Sequence, residues 1–175
     1  IVTLCIFILG LAAAPAATSG PALSRIQDKG ELVLGTSGNM PPMSHKLDDG
    51  EVVGFDIDLA RLMASGMGVK LKIRTMAFSE LLPALQKGDV DVVISNVTIN
   101  PERNMRVAFV GPYMTSGKCI VTKKDALAKA EEATDLNTPG TRLAALEGST
   151  SAAFAKALLP EASLTLVGDY EKAST

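Results

Sequence analysis

The sequence predicts an α/β fold built around a parallel sheet. Two observations carry that reading. From Glu31 to Ile94 the apolar pattern runs strand, helix, strand, helix, strand, the order that produces βαβ units and a parallel sheet. Glycine is frequent, aromatic residues make up only 4% and tryptophan is absent. That composition suits many tight turns and leaves few rings for stacking on bases or sugars.

Each element follows from its local pattern. Glu31–Gly35 (ELVLG) is the first strand and leads into a Gly/Ser/Asn loop. Pro41 and Pro42 then call for extended backbone, because proline fixes its own φ and restricts the residue before it. Asp48-Asp49-Gly50 is a turn ahead of Val52-Val53. Phe55 to Met67 has helical spacing, with Phe55, Leu59, Leu62, Met63 and Met67 on one apolar face. Asp56 and Asp58 stand in its first turn, where carboxylates complement the helix dipole. Capping, rather than catalysis or metal binding, is the role expected of them. Gly68 ends this helix.

Val69 to Met76 alternates, with Val69, Leu71 and Ile73 against Lys70, Lys72 and Arg74, as a strand with one buried face does. The basic residues fit a solvated edge strand or a basic patch. Ser79 is a cap for the next helix, which turns Leu81, Leu82 and Leu85 inward and ends at Gly88; Pro83 is tolerated in its first turn. Val90 to Ile94 is a strand buried on both faces. Beyond Val107–Tyr113, Thr115-Ser116-Gly117 precedes a strand at Lys118–Lys123. A charged surface helix follows at Asp125–Asp135, then a strand at Arg142–Leu146 and a turn at Glu147-Gly148. Ser149-Thr150-Ser151 opens a helix containing Phe154, Ala157 and Leu158. A short strand spans Leu164–Val167, and another helix is expected to start near Thr175.

Size and charge bound the function. The 175 residues correspond to one domain, or to one complete lobe and part of another. A net charge of −2 and the lack of any Lys/Arg-rich run argue against a nucleic-acid partner, which calls for a basic face. Ile1–Leu11 is almost wholly apolar, Ala12–Ala17 is small-residue-rich, and Ala14-Pro15-Ala16 offers an A-x-A-like cleavage site. Residues 1–17 therefore read as a cleavable secretory signal peptide that lacks its basic start. The run is short of the about 20 residues a transmembrane helix needs. Cys5 follows Leu4 rather than a small residue, so lipid attachment is not expected. After cleavage Cys119 is the remaining cysteine, expected as a buried small hydrophobe in GKCIV. His45 is the single histidine, in a polar loop expected to face water, and no CxxC occurs. No metal site and no cofactor is therefore expected.

Two segments carry the candidate chemistry. At the carboxyl end of the Val90–Ile94 strand stand Ser95, Asn96 and Thr98, then Asn100 as a helix cap, Pro101, and Arg103 in the first turn. Ligands of open α/β sheets bind beyond strand carboxyl ends. A guanidinium fork with hydroxyls and unpaired N–H groups suits a carboxylate, although a structural ion pair is the commoner use of one arginine. The turn Gly148-Ser149-Thr150-Ser151 also follows a strand and opens a helix, so its N–H groups suit an anion while Ser149 caps. It has no GKS or GKT, and Gly35-Thr36-Ser37-Gly38 lacks the full GxGxxG pattern.

Three blocks carry a wider resemblance: Gly50–Asp58 (GEVVGFDID), Leu81–Ser95 (LLPALQKGDVDVVIS) and Thr98–Tyr113 (TINPERNMRVAFVGPY). Together they resemble the bacterial extracellular solute-binding proteins, family 3, the polar amino acid type of ABC-transport binding protein. The likeness extends more weakly over most of the chain after Ser24. It implies a two-lobed, type II periplasmic binding protein-like α/β fold. Residues 24–113 would form a nearly complete first lobe and residues 114–175 a partial second lobe. An amino acid would bind in the cleft between them, and the lobes would close over it.

By the same resemblance Arg103 pairs with the ligand α-carboxylate and Thr98 supports it. Ser95 meets the amino group, and Asn96 stands where glycine or serine is usual. Ser149, Thr150 and Ser151 hold the carboxylate from the second lobe on closure. Met40 is the nearest match to an aromatic lid, and Ser37, Asn39, Met40 and Asn96 surround the side-chain pocket. The family's acid for the α-amino group would lie beyond Thr175, so the sequence reads as a fragment truncated at both ends that binds weakly alone. The function implied is that of a periplasmic, monomeric, non-enzymatic component that captures a polar amino acid and delivers it to a membrane permease. The alternatives are a secreted cyclohexadienyl dehydratase acting on prephenate or arogenate, with Glu147 as candidate general acid, and a sensor module of a larger receptor or a cell-wall lyase.

Overall fold

The computed structural model describes residues 20–170 and 172. The signal-peptide reading of residues 1–17, Cys5 and the helix near Thr175 lie outside the described residues. The parallel sheet forms as expected. Strand β1 (Glu31–Thr36) lies between two parallel neighbours named below, each reached by a helical crossover. Helix α1 (Pro21–Lys29), not anticipated from the apolar pattern, precedes it. Its signals are Pro21 in the first turn and Gly30 just past the last.

Strands β2 (Asn39–Met40), β3 (Ser44–Lys46) and β4 (Val52–Val53) form a small antiparallel sheet. Pro41-Pro42 makes its first turn through a cis peptide bond instead of an extended run. Helix α2 (Phe55–Gly66) then begins against this turn. Gly54 has φ +126°, and a Cβ there would lie 2.4 Å from the Met43 carbonyl oxygen. Only glycine admits that approach, and it lets Asp56 N–H donate to the same carbonyl at 2.9 Å.

The buried face of α2 is only partly the expected one: Leu59 and Met67 pack partly buried against the core. Asp56, Ile57, Ala60 and Ala64 are buried, whereas Phe55 and Leu62 are 52% and 71% exposed. Small alanines at helical spacing let the helix sit close to the sheet, while Phe55, Leu62 and Met63 are left exposed. Ile57 and Ala60 pack with Leu34, Val52 and Ile94. Ala64 packs with Ile26 and Leu32 beneath α1.

Strand β5 (Lys70–Thr75) pairs in register with all of β1, from Glu31↔Lys70 to Thr36↔Thr75. A 3-10 turn at Phe78–Glu80, rather than a Ser79 cap, opens α3 (Leu81–Lys87). Glu80 accepts the Ala77 N–H, and Leu81 and Ala84 are the buried positions. Strand β6 (Val92–Val93) is shorter than expected, although Val90 and Ile94 on either side are buried. Sheet order is β5-β1-β6. Asp91 fastens three elements by accepting the Val33 N–H at 2.9 Å and pairing with Arg25 of α1.

After the single turn α4 (Pro101–Asn104), residues 107–124 form no strand. The strand expected at Lys118–Lys123 has no ladder partner among the described residues, and Val121 is 90% exposed. Cys119 is exposed there too, against expectation. The predicted surface helix reduces to α5 (Asp125–Ala128) and a 3-10 turn at Ala133–Leu136. A second parallel unit follows: β7 (Arg142–Leu146), α6 (Thr150–Leu158) and β8 (Ser163–Val167). Leu146 of β7 packs with Met40, Phe78 and Leu81, which joins this unit to the first.

Candidate functional site

Arg103 is placed by local chemistry. Asn100 caps α4, its Oδ1 accepting the Arg103 N–H at 2.8 Å, and Pro101 occupies the first helical position. This turns the side chain back under the strand-end loop, where the residue is only 9% exposed. The guanidinium Nη1 donates to the Thr98 carbonyl at 2.8 Å and Nη2 to the Gly148 carbonyl at 2.9 Å. Its carbon lies 5.8 Å from the centre of the Phe78 ring, within cation–π range. Burial lowers its pKa, opposed by the charge of Glu102, but a guanidinium stays protonated in proteins. Among the described residues no carboxylate lies within ion-pair distance of it. The site thus holds a buried cation solvated by two neutral carbonyls.

The second unit supplies the facing wall. The turn between β7 and α6 needs Gly148, whose φ is +73° and whose Cβ, if present, would lie 3.2 Å from Ser79 Cα. That close approach brings the Gly148 carbonyl to Arg103. Ser149 caps α6 by accepting the Ala152 N–H at 3.0 Å. Thr150 Oγ1 lies 3.2 Å from Thr98 Oγ1 across the gap, and Lys118 Nζ donates to the same Thr150 hydroxyl at 2.9 Å. A cavity of about 410 Å³ adjoins these groups, lined by Phe78, Leu82, Val97, Arg103, Ser149 and Thr150 among others. The first N–H groups of α6 have no intrahelical acceptor and suit an anion.

The other expected residues fall into separate places. Ser95 is buried, its hydroxyl accepting the Ser37 N–H at 3.0 Å and donating to Ser37 Oγ at 3.2 Å. This pair joins the ends of β1 and β6. Asn96 is exposed and donates its N–H to the Tyr113 hydroxyl at 3.1 Å. Ser151 is exposed in the first turn of α6. Met40, the nearest match to the family's aromatic position, is buried among Phe78, Leu81 and Leu146. Glu147 is exposed at its turn and His45 on β3.

Three neighbours of the site were not anticipated. Lys118 lay inside an apolar stretch and read as strand. Phe78 carried no signal beyond being one of five phenylalanines. Asp56 reads as a first-turn carboxylate in the sequence, and in the structure it is fully buried and accepts the Tyr113 hydroxyl at 3.0 Å. Burial pushes its carboxyl up to about 6, moderated by that hydrogen bond. The arrangement concentrates positive charge, hydroxyls and helix N–H groups on one small volume, chemistry suited to gripping a carboxylate.

The family model of the bacterial extracellular solute-binding proteins, family 3, matches residues 32–160. The chain is 35% identical over 133 residues to the arginine-binding extracellular protein ArtP of Bacillus subtilis, spanning 76% of this chain and 50% of that protein. It is 29% identical over 165 residues to a cyclohexadienyl dehydratase of Pseudomonas aeruginosa, spanning 94% of this chain and 61% of that protein. The solved structure of the ancestral amino acid-binding protein AncCDT-1, a precursor of cyclohexadienyl dehydratase, matches with a TM-score of 0.83. Its sequence is 39% identical, and the match covers 87% of this chain and 67% of that one. The chain spans about half the length of the curated relatives it matches.

Proposed function

Because the chain belongs to the bacterial extracellular solute-binding proteins, family 3, we propose that it is the substrate-binding component of an amino acid ABC importer. Its fold is that of the type II periplasmic amino acid-binding proteins, of which it holds part. In this reading residues 24–113 and 114–175 belong to two lobes, and the ligand sits where they face each other. Arg103 receives the α-carboxylate through its fork, Thr98 and Thr150 supply hydroxyls, and the N-terminus of α6 with Ser149 and Ser151 completes the anion site. Ser37, Ser95 and Asn96 border the amino group and side chain. The protein is secreted through a cleaved signal peptide to the periplasm and acts as a monomer that presents its cargo to a membrane permease. Relatives named for arginine, cystine and glutamine support a polar amino acid.

The observation that carries this reading is the buried Arg103, which has no ion-pair partner among the described residues. A buried charge without a counter-ion is costly, and a ligand carboxylate supplies that counter-ion with bidentate geometry. The Arg103–Gly148 and Thr98–Thr150 contacts already bridge the two units, so a carboxylate bound there would tie both together. A dehydratase is the second reading; it rests on the match across 94% of this chain to such an enzyme. It would use the same arginine for the substrate carboxylate and would need a general acid.

Thermal shifts against the standard amino acids, prephenate and arogenate test both. An amino acid at about 100 times its Kd should add about 2.7 kcal/mol of stability, and Arg103→Ala should abolish the shift. Turnover of prephenate or arogenate without an amino acid shift would establish the dehydratase instead. A shift that survives Arg103→Ala would remove Arg103 from the site.

A further inference from the structure

Asn96 is the one non-glycine residue with positive φ among the described residues, at 52°. Its N–H donates to the Tyr113 hydroxyl at 3.1 Å, and that hydroxyl donates to Asp56 Oδ1 at 3.0 Å. The Phe55 ring lies against the Tyr113 ring, with centroids 6.1 Å apart and planes at 26°. One side chain therefore ties together the start of α2, the loop after β6 and the segment that leads from the first unit to the second. Asp56 is fully buried, and its Oδ2 has no hydrogen-bond partner among the described residues. The Tyr113 contact is thus the one its side chain makes there.

The left-handed conformation is uncommon for a residue with a side chain, although asparagine tolerates it best. It persists when surrounding contacts hold it. Here the contact is a hydroxyl whose own proton is committed to a carboxylate, which fixes its direction and strengthens it as an acceptor for the Asn96 N–H. Burial pushes the Tyr113 hydroxyl up to about 12, so at neutral pH it remains a donor. With its N–H committed to Tyr113, Asn96 offers the cleft its carbonyl and side chain only. Thr98, two residues on, reaches Thr150 from the same loop.

We propose that Tyr113 is a positioning residue for the anion site: its hydroxyl holds Asn96 in the left-handed conformation and so sets the loop that presents Thr98 to Thr150 and Arg103. The inference rests on the ligand-binding reading above, and two measurements separate the two. The first uses no ligand. Amide exchange at Asn96, followed by NMR, should be protected in the parent and accelerate about tenfold or more in Tyr113→Phe, which keeps the ring stack and deletes the hydroxyl. Unchanged exchange would overturn the proposal whatever the chain binds.

The second measurement is a double-mutant cycle on the affinities for L-arginine, L-glutamine and L-glutamate. Tyr113→Phe should weaken whichever of these binds by about tenfold, the scale of releasing one strained residue. In an Asn96→Gly background, where no tether is needed for positive φ, the same change should cost less than about twofold. An equal loss in both backgrounds would mean that Tyr113 acts only through the connecting segment, and the proposal fails. If none of the three binds the parent, the importer reading fails for these ligands, while the exchange result still decides whether the tether exists.

Discussion

Arg103 and Asp56 are the two charged residues the fold buries most deeply around the site, and each is buried without an ion-pair partner among the described residues. For Arg103 that deficit is functional in our reading, since a ligand carboxylate would fill it. For Asp56 it makes a stability prediction. Its folded-state pKa, about 6, lies above the ordinary 3.8. Between those values the unfolded chain has released the proton that the folded chain still holds. Stability therefore falls as pH rises from about 4 to about 6 and is flat above, by on the order of 3 kcal/mol if the whole shift is expressed. Asp56→Asn keeps an acceptor for Tyr113 and cannot ionise. Relative to the parent it should gain stability between pH 4 and pH 7, measured by urea denaturation at each pH. Parallel profiles for the two proteins would show that Asp56 is not desolvated as described.

At the scale of elements, two short caps decide where donors point. Asn100 before α4 and Ser149 before α6 each accept the N–H three residues on, and both caps were legible in the sequence because they need only local spacing. Ser149→Ala should cost about 1 kcal/mol through the orphaned Ala152 N–H, read as a lower urea midpoint at unchanged slope. Loss of affinity beyond that stability cost would indicate that Ser149 also touches the ligand. The helical face of α2 was not legible in the same way. Its large apolar residues and its small ones both recur at helical spacing, and only close approach to the sheet selected Ile57, Ala60 and Ala64.

Across the whole molecule, the two parallel units meet through Leu146, which lies 1% exposed among Met40, Phe78 and Leu81. The same contact buries Met40, and Phe78 in turn faces Arg103. Leu146→Ala should therefore destabilise the chain by about 2–5 kcal/mol, seen in urea denaturation. It should also weaken amino acid binding, because the Gly148 carbonyl two residues later loses its seat. A destabilised variant with intact affinity would separate the packing of the units from the geometry of the site.

The sequence by itself determined the strand–helix alternation from Glu31 to Ile94, the parallel sheet it builds and the two caps. These depend on periodicity and on bonds between residues at most a few positions apart. Tertiary structure alone decided that Lys118 and Thr98 converge on Thr150, that Tyr113 reaches Asp56 and Asn96, and that Met40 is buried. The Tyr113–Asp56 and Thr98–Thr150 contacts join residues 57 and 52 positions apart. No local pattern encodes such a meeting, because it exists only once the sheet has set the distance between its strand ends.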